Sequence, residues 1–218
     1  MTQVFPIDGV GCLPDISTSR QYFKLYQEVL TRLPFVTIEQ VIKKLLQAYV
    51  QERSIFLFGN GGSAALASHF ACDLGKGAIV GGNGQKRFRV LALTDNVPLM
   101  TAWANDNSYD GIFAEQLKNF VEPGDVAFAI SGSGNSTNIL HGLRVARAAK
   151  ASTVGLTGFQ GGKMKELCDQ CVIIPSDNMQ IIEDLHLSVA HAMFTVLRYR
   201  LASEQRTPIS KVASASSD

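Results

Sequence analysis

Charge of either sign is scarce in this sequence. Asp, Glu, Lys and Arg make up 18% of its 218 residues, and the formal net charge is +1. No basic stripe argues for nucleic acid, and no acidic block argues for a tail that meets basic partners. An anionic ligand must therefore be held locally, by backbone amides and hydroxyls. Long apolar runs are missing too: none approaches the roughly 20 residues that cross a bilayer. The start, Met1 to Asp8, lacks a basic segment followed by an apolar core, so no leader is expected. Cysteine is sparse. Cys12, Cys72, Cys168 and Cys171 are scattered without a disulfide framework, which points to a reduced, cytoplasmic setting. Cys168-Asp-Gln-Cys171 is a lone C-x-x-C with no second pair to complete a zinc site. It reads as two ordinary thiols beside a buried strand, with a redox or zinc pair as the alternative.

What is present is a core. Hydrophobic residues account for 46% of the chain, enough for one α/β domain. The first fifteen residues read as irregular. Tyr22, Leu25, Tyr26, Val29 and Leu30 recur at helical spacing, and Pro34 interrupts the pattern. Thr37-Ile-Glu-Gln40 resembles a capping box opening a second helix. From Ser54 onward short apolar runs alternate with helical stretches. Strands are expected at 54–58, 89–94, 125–130, 152–157 and 171–175. Helices are expected at 63–74, 97–104, 112–120, 138–149, 163–167 and 181–201. Strand, turn and helix in repetition predict a doubly wound five-stranded parallel sheet with helices on both faces. Residues 1–53 then form an N-terminal helical extension, 54–203 the core, and 204–218 a flexible tail. In such sheets ligands bind outside the carboxyl ends of the strands.

Two of the loops at those ends carry chemistry. Gly59-Asn-Gly-Gly-Ser63 has three glycines where a plain turn needs one. It feeds a helix N-terminus, whose free amides and positive dipole end suit an anion. It is neither a Walker loop nor the dinucleotide fingerprint in spacing. Ser131-Gly-Ser-Gly-Asn-Ser136 places three hydroxyls and two glycines before a helix capped by Ser136, Thr137 or Asn138. One serine explains a cap; three around glycines favour a phosphate held by neutral donors.

These loops together resemble the sugar-isomerase (SIS) phosphosugar-binding domain. Ser63 to Ala71, Ala104-Asn-Asp106 followed by Tyr109-Asp110, and Ile182 to His191 resemble the phosphoheptose isomerases within that family. The resemblance spans roughly Ser17 to Leu201. It implies conversion of sedoheptulose 7-phosphate to D-glycero-D-manno-heptose 7-phosphate, in carbohydrate metabolism that feeds envelope heptose or a nucleotide sugar. It implies a homotetramer with sites at subunit contacts, and zinc. It places phosphate contacts on Ser131, Gly132, Ser133 and Ser136. Sugar contacts fall on Asn60, Gly61, Gly62, Ser63, Asn105, Asp106 and Glu183, and metal or catalytic roles on His69, Asp73, Glu183 and His191. The same fold also serves non-catalytic phosphosugar sensors and a tetrameric partner of the replication initiator, which is the alternative reading.

The residues bear on those roles directly. His69 and Asp73 are four apart and share a helix face, and a histidine with a carboxylate suits zinc. Glu183 and His191 are eight apart, a rise of about 12 Å on a regular helix, long for two ligands of one metal. His186 is nearer Glu183 but reads equally as a buried structural histidine, and His141 reads as surface. Aldose–ketose isomerisation needs a base for the proton that moves between C1 and C2 and an acid or metal for the adjacent oxygen. The resemblance points to Asp73 as base and His191 as its partner. The chain departs from the family pattern at Asp73 (usually Glu), Glu183 (usually Gln) and Gly132 (often Thr).

Overall fold

The five apolar runs become five strands: β1 (Ser54–Gly59), β2 (Arg89–Ala92), β3 (Val126–Ser131), β4 (Ser152–Thr157) and β5 (Gln170–Ile173). They form one all-parallel sheet in the order β2-β1-β3-β4-β5. This is a computed structural model, and it describes residues 16–81 and 84–206. The expected irregular start, Cys12 and the tail beyond 206 lie outside the described residues.

Among the described residues eight α-helices accompany the strands: α1 (Ser19–Leu30), α2 (Phe35–Val50), α3 (Gly62–Cys72), α4 (Val97–Asp106), α5 (Ile112–Phe120), α6 (Thr137–Ala148), α7 (Met164–Leu167) and α8 (Met179–Arg206). Alternation along the strands sends side chains to two cores. Ile55 and Leu57 of β1, with Val126 and Phe128 of β3, pack under α1, α2, α3 and α8. Phe56 and Phe58, with Ala127 and Ala129, pack under α5, α6 and α7. Phe58, Phe70, Phe113 and Phe128 are fully buried, and each such ring stabilises the fold by about 2 kcal/mol or more.

Two local expectations are corrected. The capping box lies at the start of α1, where Thr18 and Gln21 bond reciprocally, and not at Thr37. The second helix begins directly after Pro34 without a side-chain cap, so Thr37 already lies inside its first turn. The helix through His69 also does not run evenly to Leu74. After Cys72 the winding widens into a π-helical turn, Asp73–Gly77, a distortion found often at functional sites. No described helix is long and apolar enough to cross a membrane.

Candidate active site

The chain leaves β1 toward β2 on one side of the sheet and continues from β3 to β4 on the other. A crevice opens where neighbouring strands diverge in this way, and open parallel sheets take ligands there. Both glycine-rich loops lie at this switch point.

The loop after β1 is held open for backbone chemistry. Gly61 precedes α3 with φ 54°, a left-handed conformation that favours glycine, and no side chain caps the first amides of the helix. Asn60 and Asn138 form a reciprocal amide pair, each nitrogen donating to the other's oxygen at 2.9 Å. The Tyr109 hydroxyl donates to the same Asn60 oxygen at 3.0 Å. The Glu183 carboxylate reaches this helix start: its atoms stand 3.3–3.6 Å from where a Cβ on Gly62 would lie.

The loop after β3 is folded on itself. The Gly134 amide donates to Ser131 Oγ at 3.2 Å, and the Asn135 amide to Ser133 Oγ at 3.2 Å. Ser136 is the N-cap of α6, yet its hydroxyl meets Ser131 Oγ at 3.4 Å and does not cap the helix, which leaves the Thr137 and Asn138 amides for an anion. Gly134 has φ 66°, and a Cβ there would stand 2.3 Å from the Gly161 carbonyl oxygen. At Gly132 a Cβ would stand 2.5 Å from the Met179 sulfur. The methionine thus fills the space that a side chain at position 132 would need.

Two cavities meet at this crevice. One, about 140 Å³, is walled by Asn60, the serine loop, Met179 and Glu183. The other, about 260 Å³, runs beside His69, Glu183, Asp184 and His186. Ser63 and Glu183 border both. Asn105 and Asp106, bonded to each other at 2.8 Å, are exposed at the end of α4 and line neither cavity.

Beside the larger cavity three side chains converge. His69 Nε2 and His191 Nε2 lie 2.9 Å apart, and Asp73 Oδ2 lies 3.6 Å from the first and 3.8 Å from the second. Asp73 Oδ2 is buried and has no hydrogen-bond partner. An orphaned carboxylate oxygen facing two imidazole nitrogens is a donor set that fits a divalent cation. Ligands about 2.0–2.1 Å from a tetrahedral zinc stand about 3.3 Å from one another, close to these spacings. The shorter Asp73 therefore reaches the histidines without the extra methylene. Glu183 is not in this group. The α8 helix is regular between 183 and 191, so eight residues of rise carry its carboxylate away from the cluster and to the start of α3.

His186 is buried, and neither ring nitrogen has a hydrogen-bond partner. Burial pushes its pKa down to about 4, and the Thr157 backbone nearby offsets only part of that. On the outer side of α8 the Tyr22 hydroxyl donates to Asp184, and Tyr26 bonds Ser188 at 2.7 Å. Burial first, then the Asp184 carboxylate, raises the Tyr22 pKa.

Tyr109, Asn138 and Met179 are site features the sequence reading did not single out as contacts. Tyr109 sits inside a quoted motif and could have been read there. Met179 and Asn138 gain their meaning from elements far apart in the chain.

The fold and the two loops define a phosphosugar-binding class, and residues 21–158 match the SIS domain. The chain belongs to the SIS domain family. Within it, its relatives are phosphoheptose isomerases. The protein of that name from Bradyrhizobium sp. is 38% identical over 76% of this chain and 82% of its own length. That from Aliarcobacter butzleri is 36% identical over 83% and 95%. The solved phosphoheptose isomerase from Francisella tularensis superposes with a TM-score of 0.76 at 26% identity, covering 83% of this chain and 96% of that one.

Proposed function

We propose that the protein is an aldose–ketose isomerase that interconverts sedoheptulose 7-phosphate and D-glycero-D-manno-heptose 7-phosphate through an enediol. The observation that carries this reading is the convergence of His69, Asp73 and His191 at a cavity that shares Ser63 and Glu183 with the cavity of the serine loop. The relatives' names support the substrate.

In this reading the phosphate lies in the smaller cavity. Ser131, Ser133 and Ser136 donate hydroxyls, and the amides of Gly132 and the α6 start complete the cradle. Asn60, Gly61, Gly62 and Ser63 bind the sugar where the cavities meet, with Glu183 accepting from its hydroxyls. Asp73, through the oxygen that does not face the histidines, takes the proton from one carbon and returns it to the next, with His191 as its partner toward the neighbouring oxygen. His69, Asp73 and His191 would hold the cation, with zinc as the proposed ion. When bound, it supplies positive charge against the negative charge that develops on the sugar oxygens.

The site is read as lying at a subunit contact of a homotetramer. The side chains of His69 and His191 are about half exposed. Phe23 on α1, Val36 on α2 and Tyr199 on α8 are 66%, 75% and 72% exposed, apolar surface that suits burial against other copies. In that assembly Asn105 and Asp106 reach the sugar, and the N-terminal helices pack between subunits. The protein is placed in the cytoplasm, where its free cysteines stay reduced.

The test is NMR of sedoheptulose 7-phosphate with purified protein, with and without added zinc. An aldoheptose 7-phosphate formed faster with zinc is the expected result. No conversion in either condition, with the phosphosugar still bound, would overturn the catalytic reading.

A further inference from the structure

Cys168 and Cys171 take no part in the site above. Cys168 directly follows α7, and Cys171 lies in β5. Both sulfurs press on one point of the adjoining strand. A Cβ on Gly155, which pairs with Cys171 across the β4–β5 ladder, would stand 2.8 Å from Cys168 Sγ and 3.1 Å from Cys171 Sγ. Together with the Met164 methyl at 2.9 Å, the two thiols fill the space a side chain at 155 would need. Both are free, and both residues are partly exposed. Their environments differ. The neighbouring Cys168 first, then Lys165, lowers the Cys171 pKa against burial. The neighbouring Cys171, burial and Asp169 raise the Cys168 pKa. The Lys165 ammonium beside Cys171 and the Asp169 carboxylate beside Cys168 place Cys171 to attack and Cys168 to resolve.

We propose that Cys168 and Cys171 are a dithiol site that closes to a reversible intramolecular disulfide on meeting a peroxide. The Cys171 thiolate attacks one peroxide oxygen, the O–O bond breaks, and the departing hydroxide takes up a proton to become water. Cys171 is then a sulfenic acid. The Cys168 sulfur attacks it, the S–S bond forms, the S–O bond breaks, and a second water leaves with the Cys168 proton. Two thiols lose two electrons and two protons, and hydrogen peroxide becomes two waters. A small dithiol reverses the bond by exchange.

The position gives the pair reach. α7 stands between Cys168 and the serine loop. The Met164 amide donates to the Gly134 carbonyl at 2.9 Å, and the Lys163 amide to Asn135 Oδ1 at 3.0 Å. A disulfide fixes the far end of this four-residue helix. If the serine loop is the phosphate cradle, a part of the inference that rests on the proposed function, closure changes KM for the phosphosugar at unchanged kcat.

The experiment treats the full chain with hydrogen peroxide, alkylates it under denaturing conditions and maps its peptides by mass. The expected result is a 168–171 peptide lighter by two hydrogens, about 2 Da, unalkylated at both sulfurs and restored by dithiothreitol. In a Cys168→Ser variant, Cys171 should stop at sulfenic or sulfinic acid. Should that variant fail to fold, the wild-type peptide decides alone. Both thiols still alkylated at a peroxide dose that oxidises the exposed Cys72 would overturn the proposal, as would a bridge between other cysteines. Turnover of sedoheptulose 7-phosphate by the oxidised and reduced forms then tests the reach. An unchanged KM with the disulfide formed overturns the coupling, and absent turnover in both forms counts against the isomerase reading and not against the disulfide.

Discussion

The serine loop and the histidine cluster sit on the same crevice and are built in opposite ways. The loop comes from six consecutive residues, and its polar groups bond largely to one another. The cluster comes from two helices, with His69 and His191 122 positions apart. Its central carboxylate oxygen is left without a hydrogen bond. A local loop can be complete before a ligand arrives. An assembled cluster with an orphaned acceptor is complete only with one, because a buried unpaired polar atom costs on the order of 1–3 kcal/mol. In the proposed reading, the first region binds and the second reacts.

Removing one member of the cluster should break that comparison most sharply. His191→Ala is expected to lower kcat by about 1000-fold or more while phosphosugar binding and the far-ultraviolet circular dichroism persist. A fully active variant would end the catalytic assignment. Acid should act next, through the helix that serves both regions. His186 titrates near 4 in the fold against about 6.5 unfolded. Between those values the unfolded chain holds the extra proton, so stability is full above about pH 6.5 and falls as pH drops toward 4, by up to about 3 kcal/mol. Urea midpoints across that window read the slope, and His186→Gln should flatten it. The smallest effect belongs to the loop. Ser133→Ala removes one of several donors and should raise KM by about tenfold, roughly 1.4 kcal/mol, with kcat near its original value. A loss of kcat instead would mean that the loop takes part in the chemistry.

The same contrast explains what the chain disclosed before folding. All five strands lie within a few residues of their expected places, because short apolar runs bounded by glycine or polar residues report burial directly. The serine loop was legible for the same reason: its meaning is contiguous. Helical spacing could pair His69 with Asp73, whereas His191 was named with them only through the family resemblance, because its nearness depends on the packing of α3 on α8. It carried no signal for the π-helical turn at Asp73, and it left open on which side of the crevice Glu183 falls. The misplaced capping box has a local cause. Thr18–Gln21 and Thr37–Gln40 offer the same residue types at the same spacing, but Thr18 stands just before α1 whereas Thr37 lies inside α2.

The carbonyl of Gly161 pressed against Gly134 has a further consequence. Gly162 meets the same loop from the other side, where a Cβ would stand 2.5 Å from the Ser133 oxygen and 2.6 Å from that of Gly134. The Gly158 amide ties the two stretches at 2.9 Å to Gly132. The loops after β3 and β4 are therefore one mechanical piece, although more than twenty residues separate them in the chain. Neither can lengthen or shorten alone without parting that seam. Over descent, a change of length in one has to be inherited together with an answering change in the other.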